Sequence, residues 1–145
     1  RYIAKKKCDA AAALCAPDDL IITADTMVFL DNDRLGKPRD EEDALRMLRA
    51  LSGRGHTVCT GVSVRRGAQE ERFAVSTRVF FRPMTDDEIR AYIKTGEPMD
   101  KAGAYGVQSR GALFVERIDG DFFNVMGLPV EQLGLVLARF GVKLL

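Results

Sequence analysis

The chain has 145 residues, with 22 basic and 21 acidic side chains and a formal net charge of +1. That length suits a single domain with one core, and the balanced charge gives no basic face to favour a nucleic-acid polymer as partner. Apolar residues make up 46% of the sequence, but no apolar stretch approaches the length of a membrane span. Cys8, Cys15 and Cys59 form an odd set without Cys-x-x-Cys spacing. Cys8 and Cys15 would stand about 10 Å apart along one helix, too far for a disulfide. All three read as buried reduced thiols of a cytosolic protein, and with one His a zinc site is disfavoured.

Residues 1–15 read as the end of a helix, built on Ala4, Ala10 to Ala13 and Leu14 and stopped by Pro17. Lys5-Lys6-Lys7 is a solvated charge run on it, with room for one lysine to turn inward. Leu20-Ile21-Ile22 opens a buried strand over 20–24, whose C-terminal end delivers Asp25 and Thr26. Ligands bind at that edge of open α/β sheets. A carboxylate there can hold Mg²⁺ or take a proton from water. Asp25 fits equally well as the start of a turn or a helix cap. Val28 to Gly36 then reads as a short hairpin about Asp31-Asn32-Asp33.

Gly36-Lys37-Pro38 fixes a lysine at a turn, as a phosphate site requires, although a solvated surface lysine is the plainer reading. Asp40 caps a helix through Leu51, with Ala44, Leu48 and Leu51 as its apolar stripe and Gly53 as its stop. Thr57 to Val64 alternates, Arg65 to Ala68 turns the chain, and Phe73 to Phe81 alternates back: a hairpin with long arms. Thr85 and Glu88 form a capping box for a helix to Thr95, closed by Gly96.

The segment Gly96 to Gln108 carries three further glycines or prolines beside an Asp100-Lys101 pair and an amide. Its glycines let backbone N–H groups approach a phosphate, and Gln108 offers a donor and an acceptor to a base edge. A plain structured connection, with Asp100-Lys101 a surface pair of little worth, is the alternative. Ala112 to Ile118 reads as a strand, Asp119-Gly120-Asp121 as a turn, and Phe122, Phe123 and Val125 as its continuation. Pro129 opens the last helix, with Leu133, Val136, Leu137 and Phe140 as its stripe. The order is α-β-β-α-β-β-α-β-β-α, a mixed α/β pattern whose hairpins do not fit a plain doubly wound sheet. Walker A, G-x-S-x-G and dinucleotide fingerprints are absent.

Several segments then fall into one order: Ile3 to Lys7, Ala24 to Val28, Leu35 to Pro38, Leu51 to Val58, Gly96 to Gln108, Ile118 to Phe122 and Val125 to Pro129. Together they resemble the Maf family of nucleoside triphosphate pyrophosphatases, over essentially the whole chain. The resemblance implies an α/β fold of Maf/ITPase-like type, a mixed sheet with long hairpins and flanking helices, in one domain over 1–145. It implies a cytoplasmic homodimer without nucleic-acid or membrane partners. The implied reaction cleaves a nucleoside triphosphate to the monophosphate and pyrophosphate with Mg²⁺ or Mn²⁺.

By position, Asp25 is similar to the family's proton acceptor and metal carboxylate. Lys7 is similar to its buried lysine and Lys37 to its second phosphate lysine. Asp100 and Lys101 belong to the substrate loop. Thr26 and Gln108 match positions associated with base selection in the subgroup acting on dTTP and UTP, whereas the subgroup associated with 7-methyl-GTP differs there. Chemistry agrees, because lysines and a divalent ion offset the about four negative charges of a triphosphate. Family members begin with a strand, a Ser-x-Ser-Pro-Arg-Arg phosphate loop, a helix and a metal-holding Glu, and none of these is expected within this sequence. That departure leaves a non-catalytic nucleotide-binding regulator of septum formation as one competing reading, and a pyrophosphatase for modified nucleotides such as 7-methyl-GTP is the other.

Overall fold

The computed structural model describes residues 2–12 and 16–145, and side chains over 4–10 and from 16 onward. Residue 1 and, of the residues named above, Ala13, Leu14 and Cys15 lie outside the described residues. The centre of the fold is the long hairpin. β3 (Gly55–Arg66) and β4 (Gln69–Phe81) pair antiparallel from Gly55↔Phe80 to Arg66↔Gln69. Gly67 takes φ +58° in the two-residue turn, a conformation that this hairpin needs and that glycine adopts without strain.

β1 (Ile21–Leu30) pairs with the other edge of β3, β2 (Asp33–Leu35) returns along the end of β1, and β5 (Val115–Asp119) flanks β4. The spatial order is β2-β1-β3-β4-β5, and all four ladders are antiparallel. The mixed α/β architecture with long hairpins is as expected.

Helix signals in the sequence act locally and hold. Asp40 Oδ1 accepts from Asp43 N at 2.8 Å to start α2 (Glu41–Leu51), and Thr85 and Glu88 complete the capping box of α3 (Asp86–Lys94). The α2 stripe of Ala44, Leu48 and Leu51 is buried, as are Leu133, Val136, Leu137 and Phe140 of the last helix and its cap.

Three expected strand assignments are corrected. The first strand does not end at Ala24. It runs to Leu30, because Ile21 to Phe29 find continuous partners along β3. Asp25 is therefore a mid-strand residue, neither at a strand end nor a cap. Residues 122–126, read as a strand, form a short helix, α4 (Phe122–Met126). Asp121 caps it by accepting from Phe123 N at 2.8 Å and Asn124 N at 3.2 Å, and Gly127 ends it at φ +117°. The preceding strand also starts late: residues 110–114 form 3₁₀ turns, and β5 begins at Val115.

Helices cover both sheet faces. Val28, Val58, Val79 and Phe81 pack with α2 and α3, while Val62 and Val64 pack with α5 (Val130–Arg139). On the other face α1 (Tyr2–Ala12) lies against β1 and β3, with Ala4 and Cys8 wholly buried. Double coverage explains why residues 60–64 are buried in an unbroken run rather than alternately. Cys8 is a buried free thiol, but Cys59 is only half-buried, which corrects the reading of it as a core cysteine.

Candidate functional site

The glycine-rich segment is built as a folded loop. Gly96 ends α3 with φ +80°, and two 3₁₀ turns follow, Glu97–Asp100 and Ala102–Ala104, on either side of an extended Lys101. Gly103 N donates to Gly36 O at 3.1 Å, which docks this loop against the Gly36-Lys37-Pro38 turn. A side chain at Gly103 would meet Val28 Cγ1 at 2.9 Å, so only glycine allows that approach at φ +74°.

Between this loop, β1, β3 and α4 lies a cleft of about 320 Å³. Val28, Val58, Ala102, Val107 and Val125 give it an apolar lining, and Thr26, Lys37, Asp100, Lys101 and Gln108 supply polar groups. Five of the seven expected site residues thus share one cavity. Lys37 and Gln108 are exposed and make no side-chain hydrogen bond to another described residue. Lys101 Nζ rests 3.3 Å from Asp100 Oδ1, a solvent-exposed pair. An open cleft with two ammonium groups, a free carboxamide and an apolar lining suits a ligand with a flat heteroaromatic part and an anionic part. Thr26 Oγ1 shares a hydrogen bond with Thr60 Oγ1 at 2.9 Å, and Thr60 donates to the Asn124 carbonyl at 3.0 Å. This chain fixes the Thr26 rotamer and ties α4 to the sheet.

The remaining two expected residues stand apart. Neighbouring strand residues point to opposite faces. Thr26 faces the cleft, and Asp25 faces α1. Lys7 Nζ donates to Asp25 Oδ1 at 2.9 Å and to the Ala24 carbonyl at 3.2 Å. Lys7 is the one of the three lysines that turns onto Asp25. Lys5 pairs with Asp9 at 3.1 Å and Glu70 at 3.5 Å. The Lys7 side chain is 51% exposed, where the resemblance implies a buried lysine, while Asp25 at 23% is more enclosed. β2 pairs only with Val28 to Leu30, so among the described residues β1 has no strand partner on that edge over 21–27. No group of three or more His, Cys, Asp or Glu side chains arranged to hold a metal ion occurs among the described residues.

Behind the cleft is a polar cluster that sequence reading missed. His56 is fully buried on β3, with Nε2 2.7 Å from Tyr105 Oη and its ring edge-on to Phe81 at 5.0 Å. Burial first, and then the Arg78 guanidinium, lower its pKa to about 4 from the ordinary 6.5. Near neutral pH the ring is therefore neutral. In the unfolded chain it takes up a proton below about pH 6.5, whereas the folded protein resists until about pH 4. The contribution to stability is complete above pH 6.5 and is lost as pH falls through that window. Unfolding free energy should drop by about 2 kcal/mol more between pH 7 and pH 5 in the parent than in His56→Gln. Urea titrations of both proteins at the two pH values check this, and parallel losses would show that His56 is not held neutral.

Tyr105, His56 and Asn124 carry no sequence signal of their own, because each finds its partners across the fold. Asn124, read as part of a strand, is fully buried, with Nδ2 donating to Val75 O at 2.9 Å and Thr77 Oγ1 at 3.1 Å. Recognition of Asp121 as a helix cap was the one available cue to it.

Compared with known proteins, residues 1–140 match the family model described as Maf-like protein. A Bacillus velezensis protein named dTTP/UTP pyrophosphatase is 53% identical over 127 residues, 88% of this chain and 67% of that protein. Proteins of the same name from Dictyoglomus turgidum and Syntrophomonas wolfei are 50% and 49% identical, over 87% and 99% of this chain and 66% and 76% of their own lengths. The chain spans about two thirds of the length of the first of these relatives. Among the described residues no helix is long and apolar enough to cross a membrane.

Proposed function

Because the chain belongs to the Maf-like family, we propose that it hydrolyses dTTP and UTP to the nucleoside monophosphate and pyrophosphate. One observation carries the reading: the unengaged Gln108 carboxamide lines the same cleft as Lys37 and Lys101. An amide can match the alternating acceptors and donors of a uracil or thymine edge. The lysines match the anionic end of the same ligand, and Thr26 stands beside them with its hydroxyl already oriented by Thr60. The names of the relatives, at 49–53% identity, support the same pyrimidine substrates.

In this reading the Asp25 carboxylate orients water and accepts its proton as the water attacks the α-phosphorus. Lys7, 2.9 Å from Asp25, keeps a positive charge where phosphate oxygens arrive. Asp25 and the cleft lie on opposite faces of one strand. In this reading the ligand spans β1, with its base in the cleft and its phosphates toward Asp25 and Lys7. Mg²⁺ is ordinarily held by one or two carboxylates together with substrate phosphates. Lys7 takes Asp25 Oδ1, so Oδ2 is the oxygen that would hold such an ion, with Mn²⁺ as the alternative. When bound, the ion supplies charge neutralisation on the phosphates.

Base selection is the sharpest test. Gln108→Ala removes one amide contact, worth about 0.5–1.5 kcal/mol, or more if a buried partner is stranded. The variant should lose kcat/KM on dTTP and UTP but much less on GTP. Steady-state pyrophosphate release on the three substrates measures it, and an equal loss on all of them would reduce Gln108 to scaffold.

A further inference from the structure

Gln108 sits on a short loop whose base is pinched shut. A side chain at Gly111 would lie 2.3 Å from the Gly106 carbonyl oxygen and 2.8 Å from Tyr92 Oη, so residues 106 and 111 touch backbone to backbone. The pinch is held from outside by two side chains, Tyr92 of α3 and Glu97 of the 3₁₀ turn that follows it. Tyr92 Oη accepts from Gly106 N at 3.0 Å and donates to Glu97 Oε2. Glu97 Oε2 also accepts from Gly111 N at 3.1 Å, and its Oε1 accepts from Arg110 N at 3.3 Å. One carboxylate and one phenol therefore grip the chain on both sides of Gln108.

Charge keeps the grip closed. Burial works against the Glu97 anion, but hydrogen bonds from Ser109, Tyr92, Gly111 and Arg110 outweigh it and hold the carboxyl below its ordinary range. Burial first, then the neighbouring carboxylate, push the Tyr92 hydroxyl upward, so it remains a donor. The Tyr92 ring packs edge-on to Phe114 at 5.1 Å, independently of its hydroxyl. Neither Tyr92 nor Glu97 lines the cleft.

We propose that Glu97, with Tyr92 as its bridge, is a positioning residue for base choice: it fixes the loop that presents Gln108 to the pyrimidine. The inference rests on the base-reading role given to Gln108 above. It separates this pair from the phosphate groups Lys37 and Asp25, which the grip does not touch. A loosened loop misplaces the amide, and a misplaced amide affects the substrates that it reads.

Tyr92→Phe is the decisive variant, since it keeps the ring and removes only the bridging hydroxyl. The preference for UTP over GTP, as a ratio of kcat/KM values, should fall roughly threefold to tenfold. Glu97→Gln, which keeps shape but weakens the acceptors, should shift the ratio in the same direction. In a Gln108→Ala background Tyr92→Phe should leave the ratio unmoved, because the group being positioned is gone. A merely structural role would lower the melting temperature and scale all substrates together. An unchanged ratio in Tyr92→Phe, with Gln108→Ala still shifting it, overturns this inference alone. An unchanged ratio in Gln108→Ala overturns both the base-reading role and this inference. An equal shift by Tyr92→Phe with and without Gln108 also overturns it.

Discussion

Asp25→Asn should abolish turnover on dTTP and UTP while the fold remains. Asparagine keeps the shape and an acceptor for Lys7 but loses the negative charge, and with it both a proton acceptor and a metal ligand. Loss of a positioned general base alone lowers rates about 10²–10⁴-fold, and loss of the metal carboxylate adds to that. Stability should hardly change. The ion pair that is lost, Lys7 with Asp25 at 2.9 Å, involves a lysine side chain that is 51% exposed. Exposed pairs of this kind contribute about 0–1 kcal/mol. The measurement pairs pyrophosphate release with urea unfolding on the same preparations. Turnover within a few-fold of the parent, with Mg²⁺ present, would remove Asp25 from the mechanism. Lost activity together with a large loss of stability would make the residue structural instead.

What the sequence revealed and what it hid follow the reach of the interactions involved. Caps at Asp40 and Thr85, and the apolar stripes of α2 and α5, depend on residues three or four positions apart, and all were legible. The end of β1 was misread because Ala24-Asp25-Thr26 carries local turn character. Pairing with Gly61 and Thr60 of β3, more than thirty positions away, overrides it. α4 was misread for the same reason: Asn124 anchors it to Val75 and Thr77, far along the chain. Lys37, Thr26 and Gln108 read as three separate clusters that only the family resemblance joined, and they share one cleft. Asp25 and Thr26 are adjacent in sequence, but only Thr26 lines the cleft, whereas Asp25 meets Lys7. In a continuous strand the pleat sends such neighbours to opposite faces. The grip of Tyr92 and Glu97 on residues 106–111 follows no helical or strand period, so no pattern announces it.

Lys37→Ala should lower kcat and kcat/KM by roughly 10²-fold or more on every triphosphate, pyrimidine or purine. The lysine stands exposed on the cleft wall, on a turn fixed by the Gly103 N to Gly36 O bond of 3.1 Å and by buried Pro38. No carboxylate among the described residues is paired with it, so its charge is unspent until a ligand arrives. A donor aimed at oxygens whose charge grows in the transition state is typically worth about 3–4 kcal/mol when removed. If the contact forms only as charge develops, kcat and kcat/KM fall together. If it forms equally with bound substrate, KM rises and kcat holds. Lys5→Ala is the control, because its ammonium is already committed to Asp9 and Glu70 on the surface, and it should change neither constant. Comparable losses at Lys5 and Lys37 would mean that general surface charge, not a placed ammonium, draws the triphosphate in. An effect of Lys37→Ala confined to UTP and dTTP would move that lysine from the phosphates to the base.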